Sequence, residues 1–214
     1  MRKLLEKIFV REKEYYNYID EAFGLIAPFY DIIELFIRNI RQRAIYLSDI
    51  KSQDVICDFC SGTGTMAIMI ANLSSYITGI DISSAMLRIA KRKDREGRVR
   101  FIKTDATKTP FQDNEFDISY ISFGLHDMPQ DIREQVLKEM KRVTKGKIVI
   151  IDYHIPKNPI LKKLYTFIIS IYETKYFRDF AKRDLESILN QKGFKILAKY
   201  PGFWNIYKIY ICRK

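Results

Sequence analysis

Apolar residues recur at spacings of three and four through the first 48 residues, at Leu4, Leu5, Ile8 and Phe9 and again at Ile32, Leu35, Phe36 and Ile40. That spacing gathers them on one face of a helix. An N-terminal helical cap is therefore expected over residues 1–48, divided in two where Gly24 and Pro28 interrupt the pattern. From residue 54 the rhythm changes. Short runs rich in β-branched and aromatic residues, at 54–59, 76–81, 98–103, 116–123 and 147–153, read as strands. Helical patterns at 64–73, 84–93 and 131–143 lie between them, the last with Asp131 as its expected N-cap. This alternation predicts an α/β fold, a parallel sheet with helices on both faces.

After His154 the stretch "IPKNPILKKLYTFIISIYETKYFRDF" is apolar and aromatic with a basic margin, and reads as one or two helices. A helix over 182–192 should stop at Gly193, a residue suited to the position just past a helix end. Strands at 194–200 and 205–212 follow, joined through "PGFW" as a hairpin. The chain is thus expected to be one domain in four parts. These are the cap at 1–48, a ligand-binding half at 49–154, a lid at 155–180, and a terminal helix and hairpin at 181–214.

Composition narrows the class. With 214 residues, 47% hydrophobic and 29% charged, the chain can bury a full core. No uncharged apolar run reaches the roughly 18 residues of a membrane span. The charged N-terminus has no small-residue cleavage site, so a cytoplasmic protein is expected. Three cysteines, an odd number, argue against a disulfide framework. The net charge of +11 is concentrated in residues 155–214, which carry thirteen basic and four acidic side chains. Such an excess is either a solvated surface or a face for anionic partners, nucleic acid or lipid headgroups.

Candidate chemistry centres on "DVICDFCSGTGTMAI", residues 54–68. Cys57 and Cys60 form a C-x-x-C, but Cys57 lies inside a strand, whereas a redox pair sits at a helix start. A zinc site needs about four ligands, and only Cys212, His126 and His154 offer more of the soft ones. Buried structural cysteine is the better reading, and no metal is expected. The glycines carry more. A strand reaching Asp58, a turn with Gly62 and Gly64, and a helix from about Thr65 make the first βα unit of a nucleotide-binding fold. Asp81 follows the second strand, where a carboxylate can accept from both ribose hydroxyls. Asp105 follows the third, where it can accept from an adenine amino group while the Ala106 N–H reads a ring nitrogen. Together these acids suit a ligand with an amine, a ribose and an adenine.

With "GIDISSAML", "FIKTDATKTPF", "ISFGLHDM" and "APFYD" in place, nearly the whole chain resembles the class I S-adenosylmethionine-dependent methyltransferases, in particular the ubiquinone/menaquinone C-methyltransferase group. The resemblance implies a Rossmann-like, seven-stranded, mostly parallel sheet with the last strand antiparallel and the lid between strands five and six. It also implies that Asp58, Cys60, Gly62 and Gly64 surround the methionine end of S-adenosylmethionine, that Asp81 holds the ribose, that Ile82 packs on adenine, and that Asp105 and Ala106 read its edge. Two departures stand out. Cys60 replaces the group's first glycine, and His126-Asp127 replaces its Arg-Asn.

Both histidines fall just past parallel strands, at the sheet edge where wound α/β folds bind ligands. His126 is the first candidate base, Asp127 the second, and His154 and Asp152 follow. Tyr30 and Asp31 can either close over the cofactor or pack the cap. Phe167 and Ile171 stand for an apolar lid edged by Lys157, Lys162, Lys163, Lys175 and Arg178. That lid suits either plain packing or contact with an anionic membrane surface. The expected activity is methylation of a small, hydrophobic or lipid-like acceptor by a cytoplasmic enzyme, either free in the cytoplasm or peripheral at a membrane. Three other readings compete. Gly62-x-Gly64-x-x-Ala67 with Asp81 suits a nicotinamide-dependent oxidoreductase. The basic C-terminal third suits an RNA-modifying methyltransferase, although no N/D-P-P-Y/F motif is present, so nucleic acid is not favoured. A non-catalytic ligand-binding protein on the same fold is the last.

Overall fold

The computed structural model describes residues 14–214 apart from residues 25, 26, 28, 29, 172, 203 and 204. The first part of the expected cap, with Leu4, Leu5, Ile8 and Phe9, lies outside the described residues. So do Pro28 and Phe29 of "APFYD", Phe203 and Trp204 of the hairpin connection, and the side chains of Asp31, Ile32, Leu35 and Phe36.

Two helices, α1 (14–24) and α2 (Tyr30–Leu47), lead into the sheet. The alternating section gives β1 (Val55–Phe59), α3 (Thr65–Ile70), β2 (Tyr76–Asp81), α4 (Ser84–Lys93), β3 (Val99–Lys103) and β4 (Phe116–Ser122). A single 3-10 turn at Leu125–Asp127 then precedes α5 (Gln130–Val143) and β5 (Thr144–Tyr153). The segment expected as a lid holds α6 (Pro159–Ile169) and α7 (Phe177–Phe180), and α8 (Leu185–Gln191), β6 (Lys195–Pro201) and β7 (Tyr207–Arg213) close the chain.

The seven strands form one sheet in the order β3-β2-β1-β4-β5-β7-β6. β1 pairs in parallel with β2 and β4, and β7 runs antiparallel to both β5 and β6. The expected antiparallel last strand is therefore present. Strand order reverses between β1 and β4, so the chain leaves β1 and β4 in opposite directions and opens a crevice at their carboxyl ends. Helices cover both faces there, which is why central strands read as unbroken apolar runs. Ile148, Val149, Ile150 and Ile151 on β5 are fully buried, and truncating one of the isoleucines to alanine would cost about 2–5 kcal/mol.

Several boundaries differ from the sequence expectation, among them the start of α8, at Leu185 and not at 182, and of β7, at Tyr207 and not at 205. Helix α5 begins one residue early, with extended Pro129 as its N-cap and Asp131 in its first turn. A proline has no N–H to leave unpaired ahead of a helix, and Asp131 still meets the positive helix end. Strand β5 begins at Thr144, ahead of the polar "KGK". Gly146 permits this, since a Cβ there would lie 2.3 Å from the Asp117 carbonyl oxygen, and Lys145 pairs with the Asp117 carboxylate at 3.0 Å. Helix α3 is short, ending at Ile70. Gly193, by contrast, takes φ +72° just beyond α8, as expected.

Candidate active site

The turn after β1 is built from left-handed residues. Cys60, Gly62 and Gly64 have φ of +54°, +54° and +77°. Glycine adopts this conformation without a Cβ clash, while for a cysteine it costs roughly 1–2 kcal/mol. The chain closes the turn with Ser61 N–H donating to Ile80 O at 2.8 Å and Gly64 N–H donating to Ser61 O at 2.9 Å. Asp81, at the end of β2, fixes it from the side. Its two oxygens accept from Gly62 N–H and Ser83 N–H, each at 2.8 Å. A Cβ built on Gly62 would meet only the Tyr30 ring, at 4.0 Å, so its open side lies toward a cavity.

That cavity encloses about 760 Å³ of space, its open mouth included. Cys60, Ser61, Gly62, Asp81, Ile82, Asp105 and Ala106 form one wall. Asp105 is held by the Thr107 N–H and hydroxyl, both donating at 2.8 Å to one oxygen. The other oxygen is open to a ligand. Tyr15, Tyr16, Ile19 and Phe23 of α1 and Tyr30 of α2 roof the space, and Phe123, Gly124, Asp127 and Met128 form its far end.

Asp58 and Gly64 lie at the turn but are not among the residues lining the cavity. Gly64 is needed for packing, since a Cβ would sit 2.7 Å from the Phe101 ring and 2.8 Å from the Ala90 Cβ. Asp58 is buried beneath the turn, its oxygens outside full hydrogen-bond geometry to any described residue, although the Ala67 N–H lies near enough to favour the charged form. Burial, with Asp81 and Glu34 nearby, pushes its pKa up to about 7 against the opposing pull of Arg41.

The expected base, His126, does not face the cavity either. Its Nδ1–H donates to Asp152 Oδ1 at 2.8 Å, and its Nε2 lies 3.2 Å from Glu173 Oε2 and 3.5 Å from Asp127 Oδ2. Burial alone would lower its pKa, but the Asp127 and Asp152 carboxylates outweigh that and hold it well above the usual value. The carboxylates on both sides of the buried ring thus favour its protonated form. Asp127, which does line the cavity, is raised to about 6 by its own burial, against the pull of His126. Asp152 is locked by the Leu125 and His126 N–H groups, and Glu173 accepts from the Tyr153 hydroxyl at 2.5 Å.

The remaining candidates lie elsewhere. His154 is buried beside Lys208, Asp184 and Glu186, away from the cavity walls. Phe167 and Ile171 are 64% and 72% exposed and touch no wall. The Cys57 and Cys60 thiols are free, and burial raises both.

Two residues escaped the sequence reading. Arg41 is buried at the cavity wall, its Nε donating to Ser122 Oγ at 2.9 Å and its Nη1 paired with Glu34. Its signal was an arginine among the buried positions Ile37, Ile40, Ala44 and Ile45 of α2. Glu173 reaches His126 from the lid, and only its place as a lone acid in an apolar stretch marked it.

Comparison with known proteins matches residues 56–147 to a methyltransferase domain family. The demethylmenaquinone methyltransferase of Paenarthrobacter aurescens is 36% identical over 67% of this chain, which spans 58% of that protein. A ubiquinone/menaquinone biosynthesis C-methyltransferase from a Geobacter species is 30% identical over 92% of this chain and 96% of that protein. Among solved structures, the magnesium protoporphyrin IX methyltransferase of Synechocystis with bound S-adenosylmethionine has a TM-score of 0.58 at 16% identity. It covers 85% of this chain and 79% of that one, a likeness of fold.

Proposed function

We propose that this chain, which belongs to the S-adenosylmethionine-dependent methyltransferase family of the ubiquinone/menaquinone biosynthesis C-methyltransferases, methylates a hydrophobic, quinone-precursor-like acceptor. The observation that carries this reading is one cavity holding three differently placed carboxylates, Asp81, Asp105 and Asp127, under an aromatic roof. When bound, S-adenosylmethionine supplies an electrophilic methyl group on a positively charged sulfur. Asp81 keeps lone pairs for ribose hydroxyls beyond the two N–H groups it already accepts. The open oxygen of Asp105 and the Ala106 backbone suit the adenine edge, with Ile82 packing beside it. Cys60 and Gly62 present backbone to the methionine end, and Arg41 supplies a buried cation for its carboxylate.

On the acceptor side, Asp127 is the group that meets the ionisable part of the molecule. A carboxylate with a pKa of about 6 is mostly deprotonated at pH 7 and can take the proton the acceptor gives up as the methyl arrives. His126 acts through Asp127 and is a positioning residue, fixed in turn by Asp152 and Glu173. The apolar roof of Tyr15, Ile19 and Phe23 receives the body of the acceptor. Labelled S-adenosylmethionine incubated with the protein and either lipid or aqueous extracts tests this. Label in an organic-soluble, redox-active product is the expected result. Label confined to water-soluble molecules or RNA would contradict it.

A further inference from the structure

Helix α6, with the turn that ends it, exposes more apolar surface than a solvated helix of its length has reason to. Ile160, Leu161, Leu164, Phe167, Ile168 and Ile171 are between 48% and 78% exposed. At 100° per residue, these six fall within an arc of about 120° on one side of the helix. Ile169 is buried and lies outside that arc, so the helix is seated by one face and bare on the other. The helix start is firmly built, with Asn158 Oδ1 accepting from the Ile160 and Leu161 N–H groups at 3.0 and 3.1 Å. The apolar face is thus presented by a formed element.

Charge says what this face meets. Residues 155–180 carry five basic and two acidic side chains, and one of the acids, Glu173, is engaged with His126. Lys163 is exposed on α6 beside the apolar arc, and Lys157 and Arg178 are exposed just before α6 and on α7. An apolar face in a basic segment complements the boundary between acyl chains and anionic headgroups. The same segment leads to the cavity. Tyr176, at the start of α7, packs edge-on against Tyr15 and Tyr18 of α1, with ring centroids 5.4 and 5.6 Å apart. Tyr15 is itself a cavity wall.

We infer that α6 is a docking helix that rests its apolar face on an anionic lipid bilayer, so that a lipid-tailed acceptor enters the cavity from the membrane beneath α1 and the lid. This rests on the lipid-like acceptor argued above. The docking explains why a catalytic lid carries exposed isoleucine, leucine and phenylalanine.

Flotation with vesicles of phosphatidylglycerol and phosphatidylcholine, against phosphatidylcholine alone, tests it at about 20 and about 500 mM salt. The wild type should float with anionic vesicles at low salt and detach by about tenfold or more at high salt, since headgroup attraction is screened over a few ångströms there. The double variant Leu164→Glu, Phe167→Glu should lose retention about tenfold or more while binding S-adenosylhomocysteine as the wild type does. A milder variant, Lys163→Glu, should weaken retention on anionic vesicles only. Equal retention of wild type and double variant would overturn the proposal. So would a concentration-dependent dimer in light scattering that the double variant abolishes, which would assign the face to a second copy of the chain. Transfer to a short-tailed, soluble acceptor separates the two readings. If it persists while vesicle binding is absent, only the docking falls; if it too is absent, the acceptor reading falls.

Discussion

Replacing Asp58 by asparagine should make stability less dependent on pH, and the size of the change follows from its surroundings. The carboxyl group is buried, Arg41 and the Ala67 N–H offset that burial only in part, and its pKa rises from the ordinary 3.8 to about 7. Between those two values the folded chain holds a proton that the unfolded chain has released, so stability falls as pH rises through that window. A shift of about three units corresponds to about 4 kcal/mol once pH is above the folded value. By the same linkage the penalty is about 2 kcal/mol at pH 5, so this group alone costs the wild type a further 2–3 kcal/mol, roughly, between pH 5 and pH 8. The asparagine amide does not titrate. Buried, it costs about 1–3 kcal/mol at every pH. The melting-temperature difference between Asp58→Asn and wild type should therefore move in the variant's favour from pH 5 to pH 8. At about 2–4 °C per kcal/mol for a chain of this size, the movement is about 5–10 °C. Differential scanning calorimetry without ligand at the two pH values measures it. A difference that does not change with pH would refute the argument, whatever its absolute size.

Three further expectations concern the turn and the far end of the cavity. Gly64→Ala should destabilise by about 2–4 kcal/mol, because its Cβ would meet Phe101 and Ala90 at under 3 Å in a left-handed backbone, as urea unfolding would show. For Asp127, kcat should climb as pH rises through about 6, and Asp127→Asn should lose that limb and reduce kcat by about 10²–10⁴-fold with the affinity for S-adenosylhomocysteine kept. His126, Asp127 and Glu173 place donor atoms within 4.8 Å of one another. Read as a protonated imidazole among carboxylates, the cluster requires no metal, and dialysis against a chelator should leave activity and melting temperature unchanged; a loss restored by a divalent cation would reassign it.

The fold was legible because its pattern is local. Short apolar strands alternate with amphipathic helices, and each of the seven strands lies within a few residues of where the periodicity puts it. Cavity residues at or just past strand ends, Asp81, Asp105 and Ala106, were legible for the same reason, since topology brings such ends to one edge. What sequence could not show was where a side chain points. His126 and Asp127 are neighbours in a single 3-10 turn, yet one faces Asp152 and the other the cavity. Gly64 resembles a ligand-side glycine but is required by Phe101 behind it. Arg41 and Glu173 come to the site from the cap and the lid, 81 residues from Ser122 in one case, and such long-range pairings have no local signature.

The central claim is that this cavity holds S-adenosylmethionine through the acids at its strand ends. Isothermal titration of S-adenosylhomocysteine into the purified protein, wild type beside Asp81→Ala, tests it most directly. Binding at micromolar affinity or tighter is expected for the wild type, weakened in the variant by about 10–100-fold, the equivalent of about 1–3 kcal/mol for hydrogen bonds to a charged group. No binding by folded wild-type protein at millimolar ligand, or equal affinity in both proteins, would contradict it.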